Sequence, residues 1–333
     1  MKQKFFGYYR LSEKQLMELW ENATFVLDTN VLLDVYRYTP ETSKNILTIL
    51  EKVANRLWIP YQVASEYHSN LNNVICEEIR ECNSVTVRVQ EFQKYIQDIS
   101  NQKRKHPFID IEFVNKLQSH CDEIYKIIDS EKEKLQSLLT ENSLKETIAQ
   151  LLKDKVGDVI EEQKLKDLYI EGERRYKKSI PPGYKDKNKD KETNDNKRYG
   201  DWIIWQSIIE KAKEHKTNII FITNDRKEDW YEQFFGKIIG PRPELCQEFY
   251  DSTEHKFFYA YTIERFLEYA HKYLDDIPQF DDAIQEILDI ENKKQTENIA
   301  NQNTLYTHII SDKSDSISIE TNNYCDNSVH NNE

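Results

Sequence analysis

The sequence predicts an α/β fold with a mostly parallel central sheet and a long helical insertion. Three observations predict it. Short apolar runs alternate with stretches of helical periodicity at both ends of the chain; residues 71–170 carry helical periodicity alone; and the α/β rhythm resumes after a loop dense in charge.

In chain order, Thr24–Leu27 (TFVL) is apolar, partly β-branched and ends at Asp28, as a buried strand does. Ile46, Ile49, Leu50 and Val53 then recur at helical spacing over 40–54. Leu57–Ile59 is a second short strand, and Pro60 suits the first position of a helix carrying Val63, Ala64 and Tyr67. From Leu71 to Ile170, Leu, Ile and Val recur three and four apart with charges between them, which predicts two or three antiparallel helices broken near Pro107. Residues 179–198 form a loop by composition. A helix from Asp201, the strand NIIFIT at 218–223, a strand at 257–261 and a helix at 263–273 follow. The expected organisation is a body over 1–274, with the insertion at 71–170 and a basic loop at 179–199. A C-terminal helix at 275–297 and an acidic tail at 298–333 complete it; the tail is too polar to repay its ordering entropy, so disorder is expected there.

Composition narrows the function. The net charge of −13 over 333 residues excludes a basic nucleic-acid coat protein, although a catalytic groove needs only local positive charge and bound metal. With 7 Gly, neither GxGxxG nor GxxxxGK[ST] occurs. The 5 Cys form no CxxC pair, which argues against a disulfide scaffold and a thiolate zinc site. No apolar run approaches the ~20 residues of a membrane span and the first residues do not resemble a signal peptide, so a cytoplasmic location is expected.

Parallel α/β sheets bind ligands at the carboxyl ends of their strands. Asp28 ends the first strand, and Asn224 and Asp225 end NIIFIT. Glu66 lies about two turns into the helix after the second strand, and Asp201 opens the helix before NIIFIT. Each has an ordinary alternative role: Asp28 and Asp201 as helix caps, Asp225 as a turn residue, Glu66 as a surface acid. Together they are informative, because two carboxylates ~4 Å apart repel by roughly 4 kcal/mol at an effective dielectric near 20. Such a cluster must protonate or hold a cation. Oxygen-only donors without clustered Cys or His select Mg²⁺ or Mn²⁺ over Zn²⁺, and ions of that kind activate water for two-metal-type phosphodiester displacement.

FVLDTNVLLD, the ASEY segment with Glu66, YGDWIIW with Asp201 and IIFITNDRKEDW with Asp225 resemble the four acidic motifs of PIN-like nuclease domains, in the same order. PPGYKD, GPRPEL and TIERFLEYA resemble a bacterial branch of that family with a long helical insertion, so the resemblance spans roughly Phe5 to Leu274. It implies a three-layer α/β/α sandwich and metal-dependent cleavage of RNA, less often DNA. It implies that Asp28, Glu66, Asp201 and Asp225 are the metal-site acids, with Asp229 as a fifth, and that Asn30 and Asn224 support the site. The insertion departs from the compact form of the family. A toxin or phage-defence setting is expected, with an antitoxin or another defence protein as partner.

Between Glu173 and Arg198 lie ten Lys and Arg against five Asp and Glu, in an acidic chain. Lys185, Lys187, Lys197 and Arg198 in this loop, with Arg226 and Lys227 beside Asp225, are therefore the candidate phosphate contacts; Lys103–Lys105 are the alternative. Two other functions compete. A phosphohydrolase using Asp28 as nucleophile would need a second acid two residues on, where Asn30 stands; an inactive nucleic-acid-binding module would not need all four acids.

Overall fold

The computed structural model describes residues 1–101, 110–188, 196–294 and 296. The proposed tail at 298–333, the helix break at Pro107 and the cations at Lys103–Lys105 lie outside the described residues. Two compact units divide at Phe280 and Asp281. In the second, residues 281–294 are helical.

The first unit is the α/β body. Its strands β1 (Thr24–Leu27), β2 (Leu57–Trp58), β3 (Ile219–Ile222), β4 (Tyr231–Phe234), β5 (Lys237–Pro241) and β6 (Phe258–Tyr261) make a four-stranded sheet of order β2-β1-β3-β6 and a β4–β5 hairpin. Every pairing in the larger sheet is parallel, with Phe25 opposite Leu57 and Ile220, and Ile220 opposite Tyr259. The helices are α1 (Glu13–Asn22), α2 (Thr29–Asp34), α3 (Pro40–Lys52), α4 (Tyr61–Asn101), α5 (Ile111–Ser137), α6 (Ser143–Leu151), α7 (Glu162–Lys177), α8 (Gly200–His215), α9 (Pro243–Ser252) and α10 (Ile263–Tyr273).

β1 and β3 are apolar on both faces and buried, because helices cover both sides of the sheet. On one face Trp20 of α1 stacks on Phe266 of α10, with ring centroids 5.7 Å apart, and meets Phe25 and Tyr261 edge-on or tilted. On the other, Trp205 of α8 packs against Trp230, Phe249 and Phe258. The result is a three-layer α/β/α sandwich.

The insertion is a helical hairpin. α4 has 41 residues, a length of about 60 Å at ~1.5 Å per residue. It packs along α5 around a satellite core of Ile96, Val114 and Cys121. The chain returns to the sheet where Ile59 pairs with Val156, the Ile59 N–H donating to Lys155 and the Gly157 N–H to Ile59. α1, α2, α9 and the β4–β5 hairpin are additional to the elements expected from sequence. β4 exposes all but its first residue, β5 is mostly half-buried, and a bulge lies between Glu232 and Gln233, so the strands show no apolar alternation.

Candidate active site

The carboxyl ends of β1 and β3 lie side by side, with Val26 opposite Phe221 and Leu27 opposite Ile222. Parallel pairing therefore brings the segments that follow, Asp28–Asn30 and Thr223–Asp225, to one rim, where the Asp28 N–H donates to the Ile222 carbonyl.

Asp28 is 5% exposed and does two things at once. Its Oδ1 accepts the Thr29 N–H at 2.7 Å, capping α2, while Oδ2 accepts from the Asn30 carboxamide at 2.7 Å and the Thr223 hydroxyl at 2.6 Å. Burial pushes its carboxyl up to about 7; the Thr223 hydrogen bond opposes that rise, and the charges of Glu66 and Asp225 add to it. All its partners are neutral donors.

Glu66 reaches the rim from α4. Thr29 donates its hydroxyl to Oε2 at 2.8 Å and Gln62 donates to Oε1 at 2.7 Å, so both oxygens are oriented. Asp201 arrives from the first turn of α8, where the N-cap position belongs to Tyr199. Its Oδ2 is sealed from solvent with no hydrogen-bond partner. Burial raises its carboxyl well above the ordinary range, and repulsion from Asp225 and Asp28 reinforces this.

Two glycines allow this approach. Gly183 has φ +84°, and a Cβ there would collide with the Tyr176 hydroxyl and stand 2.9 Å from Asp201 Cβ. At Gly200 a Cβ would stand 2.7 Å from Glu66 Oε1. The loop carrying Gly183 is anchored by buried Arg175, which donates to the Pro181 carbonyl, pairs with Glu248 at 2.7 Å and lies over the Trp202 ring.

Asp28, Glu66, Asp201 and Asp225 line one cleft of about 400 Å³, together with Thr29, Asn30, Arg37, Asn70, Asn73, Glu77 and Asp186. Asp186, like Glu77 on α4, is a cleft acid that sequence reasoning missed. It sits inside the lysine-rich loop, where it reads as a spacer between cations; its only signal was membership of PPGYKD. Lys227 bridges Asp186 Oδ1 at 2.9 Å and Asp225 Oδ2 at 2.8 Å. Burial by itself would lower the proton affinity of Lys227, but the charges of Asp225 and Asp201 outweigh it, so the ammonium is held protonated.

The supporting asparagines form a tie. Asn30 accepts the Asn224 N–H at 2.8 Å, and Asn224 donates its side chain to Asp34 at 2.7 Å while accepting the Ile263 N–H at 3.2 Å. Asp229 is fully buried beside the rim, with Oδ2 accepting the Lys185 N–H at 3.0 Å and Oδ1 without a partner; burial raises its carboxyl. It does not line the cleft.

The candidate phosphate contacts are less exposed to substrate than their number suggests. Lys185 pairs with Glu228 at 2.6 Å, and Arg198 reaches Glu173 at 3.4 Å while lying over Tyr199. Arg226 turns away to pair with buried Glu264 at 2.7 Å. Lys187 and Lys197 are exposed.

The donor set fits a hard divalent cation: the acids offer only oxygen, Asp28 and Asp201 bear raised proton affinities, and Asp201 Oδ2 is unclaimed. As they stand, no three His, Cys, Asp or Glu side chains among the described residues are grouped tightly enough to cage an ion, with Asp225 tied to Lys227 and Glu66 to Thr29 and Gln62. Among the described residues no helix is long and apolar enough to cross a membrane.

No curated protein and no solved structure matches the chain. The family model described as PIN like domain matches residues 24–245, two thirds of the chain and all four acidic segments. With its parallel sheet, its helical layers and this match, the chain belongs to the PIN-like domain family, whose members are typically nucleases.

Proposed function

We propose that the protein is a metal-dependent endonuclease that hydrolyses RNA phosphodiesters in a toxin or phage-defence setting, with Mg²⁺ or Mn²⁺ as cofactor. One observation carries this reading: Asp28, Glu66, Asp201 and Asp225, from four separate segments, line one open cleft, and Asp28 and Asp201 hold their protons abnormally tightly there. A bound divalent ion supplies a water of lowered pKa and stabilises negative charge on the attacked phosphate. Asp28, Glu66 and Asp201 are the residues that would hold it. Asn30 and Thr223 keep Asp28 aimed into the cleft, and Thr29 and Gln62 do the same for Glu66. The exposed amides of Asn70 and Asn73 on the cleft wall are neutral groups that can meet substrate without adding charge.

The test is direct. Labelled RNA and DNA are incubated with the protein in Mg²⁺, in Mn²⁺ and in chelator. RNA cleavage that requires the ion and is lost in Asp28→Asn supports the reading. Equal cleavage of single-stranded DNA changes the substrate and leaves the metal chemistry. Hydrolysis of a small phosphate ester without cleavage of either polymer replaces the reading with a phosphohydrolase.

A further inference from the structure

The acids of the cleft divide into three groups, the outermost being Glu77, which pairs with Arg37 at 3.0 Å. Among the described residues, Asp28, Glu66 and Asp201 have no cationic side chain paired with them. Asp225 and Asp186 share one: Lys227 Nζ lies 2.8 Å from Asp225 Oδ2 and 2.9 Å from Asp186 Oδ1. Asp225 is committed to Lys227 at both oxygens, since Oδ1 accepts the Lys227 backbone N–H at 3.0 Å. That local loop makes the arrangement short-range. The side chain begins two residues after the carboxylate it meets, and the Asp225 N–H is itself turned onto Thr223 Oγ1 at 3.0 Å. Asp186 comes from the other side, on a loop anchored through Arg175 and Gly183, so the ammonium joins two elements as well as two charges.

An ammonium at hydrogen-bond distance from two carboxylates does electrostatically what a cation bridging them would do. It also occupies Asp225 Oδ2 and Asp186 Oδ1. On the reading given above, that leaves one set of three acids for a divalent ion. We infer that Lys227 stands in for a second ion on the Asp225–Asp186 side, so the cleft takes one divalent cation, held by Asp28, Glu66 and Asp201. The inference rests on the proposed metal-dependent function but can fail separately from it.

The experiment is a count of Mn²⁺ bound to the full-length chain, by calorimetric titration and by the loss of the free Mn²⁺ electron paramagnetic resonance signal. Wild type should bind one ion, and Lys227→Arg should still bind one. Lys227→Met should bind a second ion, and without metal it should melt lower than wild type because Asp225 and Asp186 lose their shared cation. Its melting temperature should then rise more on Mn²⁺ addition than that of wild type. Two ions on wild type overturn the inference and leave the nuclease reading standing. So does a Lys227→Met chain whose ion count and metal-free melting match wild type. No ion on wild type overturns the metal-dependent reading itself. Should Lys227→Met fail to fold, the wild-type count still decides.

Discussion

Asn30 joins the two strands that build the candidate site: its carboxamide donates to Asp28 Oδ2 at 2.7 Å and accepts the backbone N–H of Asn224 at 2.8 Å. One side chain thus aims the central acid and closes the gap beyond the last β1–β3 pair. Asn224 extends the tie to Asp34 and to the start of α10. Asn30→Ala should reduce cleavage by roughly a hundredfold, since misplacing a reacting group by about 1 Å costs that much. It should lower stability by about 1–3 kcal/mol, because a buried donor and acceptor lose their partner. Kinetics together with denaturant titration check this. Wild-type cleavage by this variant would show that Asp28 needs no such aim.

Asp28→Asn should abolish cleavage and keep the fold. The substitution removes a charge that Glu66 and Asp225 repel, and an amide can still serve part of the hydrogen-bond set. Metal-free melting should therefore match or exceed wild type, while the melting rise with Mn²⁺ should shrink. A variant that still cleaves at the wild-type rate would refute the site.

The pH dependence follows from the same residue. Asp28 holds its proton up to about pH 7 in the folded chain, well above its ordinary value of 3.8. The folded state therefore binds the proton more tightly than the unfolded chain. The stability this provides is complete below about pH 4, the unfolded value, and is lost as the pH rises through about 7. Metal-free thermal melts of wild type should fall relative to Asp28→Asn between pH 5 and pH 8, whereas Mn²⁺ binding, which competes with the proton, should strengthen over that range. Parallel melting curves for the two proteins across this range would contradict the assignment.

Gly183→Ala and Gly200→Ala should separate stability from positioning. At Gly183 the left-handed backbone and the crowding against Tyr176 and Asp201 both penalise a side chain, so a loss of at least ~1–2 kcal/mol is expected. At Gly200 the new methyl group meets the side-chain ends of Glu66 and Gln62 rather than backbone, and helix propensity favours Ala by up to ~1 kcal/mol. Stability should hold there while cleavage falls at least about tenfold. If Gly200→Ala cleaves normally, Glu66 does not act from the position described.

Replacing Lys185, Lys187, Lys197 and Arg198 together by Ala should weaken binding to single-stranded RNA regardless of sequence. Each lost phosphate contact lowers the log–log salt slope by roughly 0.7. The total should be well short of four such contacts, because Lys185 and Arg198 are already engaged with Glu228 and Glu173. Turnover of bound RNA should change little. An unchanged affinity and slope would make the loop a solvated connector.

Elements whose signal is local were legible in the chain. β1 and β3 are unbroken apolar runs, α10 is bounded as its periodicity indicates, and the acids that follow the strands lie at the sheet's carboxyl edge because parallel pairing leaves them nowhere else. What each charge does depends on long-range packing. Lys227, Asp186 and Arg226 read alike in sequence as charged loop residues, yet Lys227 and Asp186 meet at 2.9 Å beside the cleft while half-buried Arg226 pairs with buried Glu264. The physical reason is range. Strand and helix propensities act within a few residues, whereas an ion pair depends on a distance set by segments 41 and 38 positions apart in the chain, and on the burial that the packed layers impose.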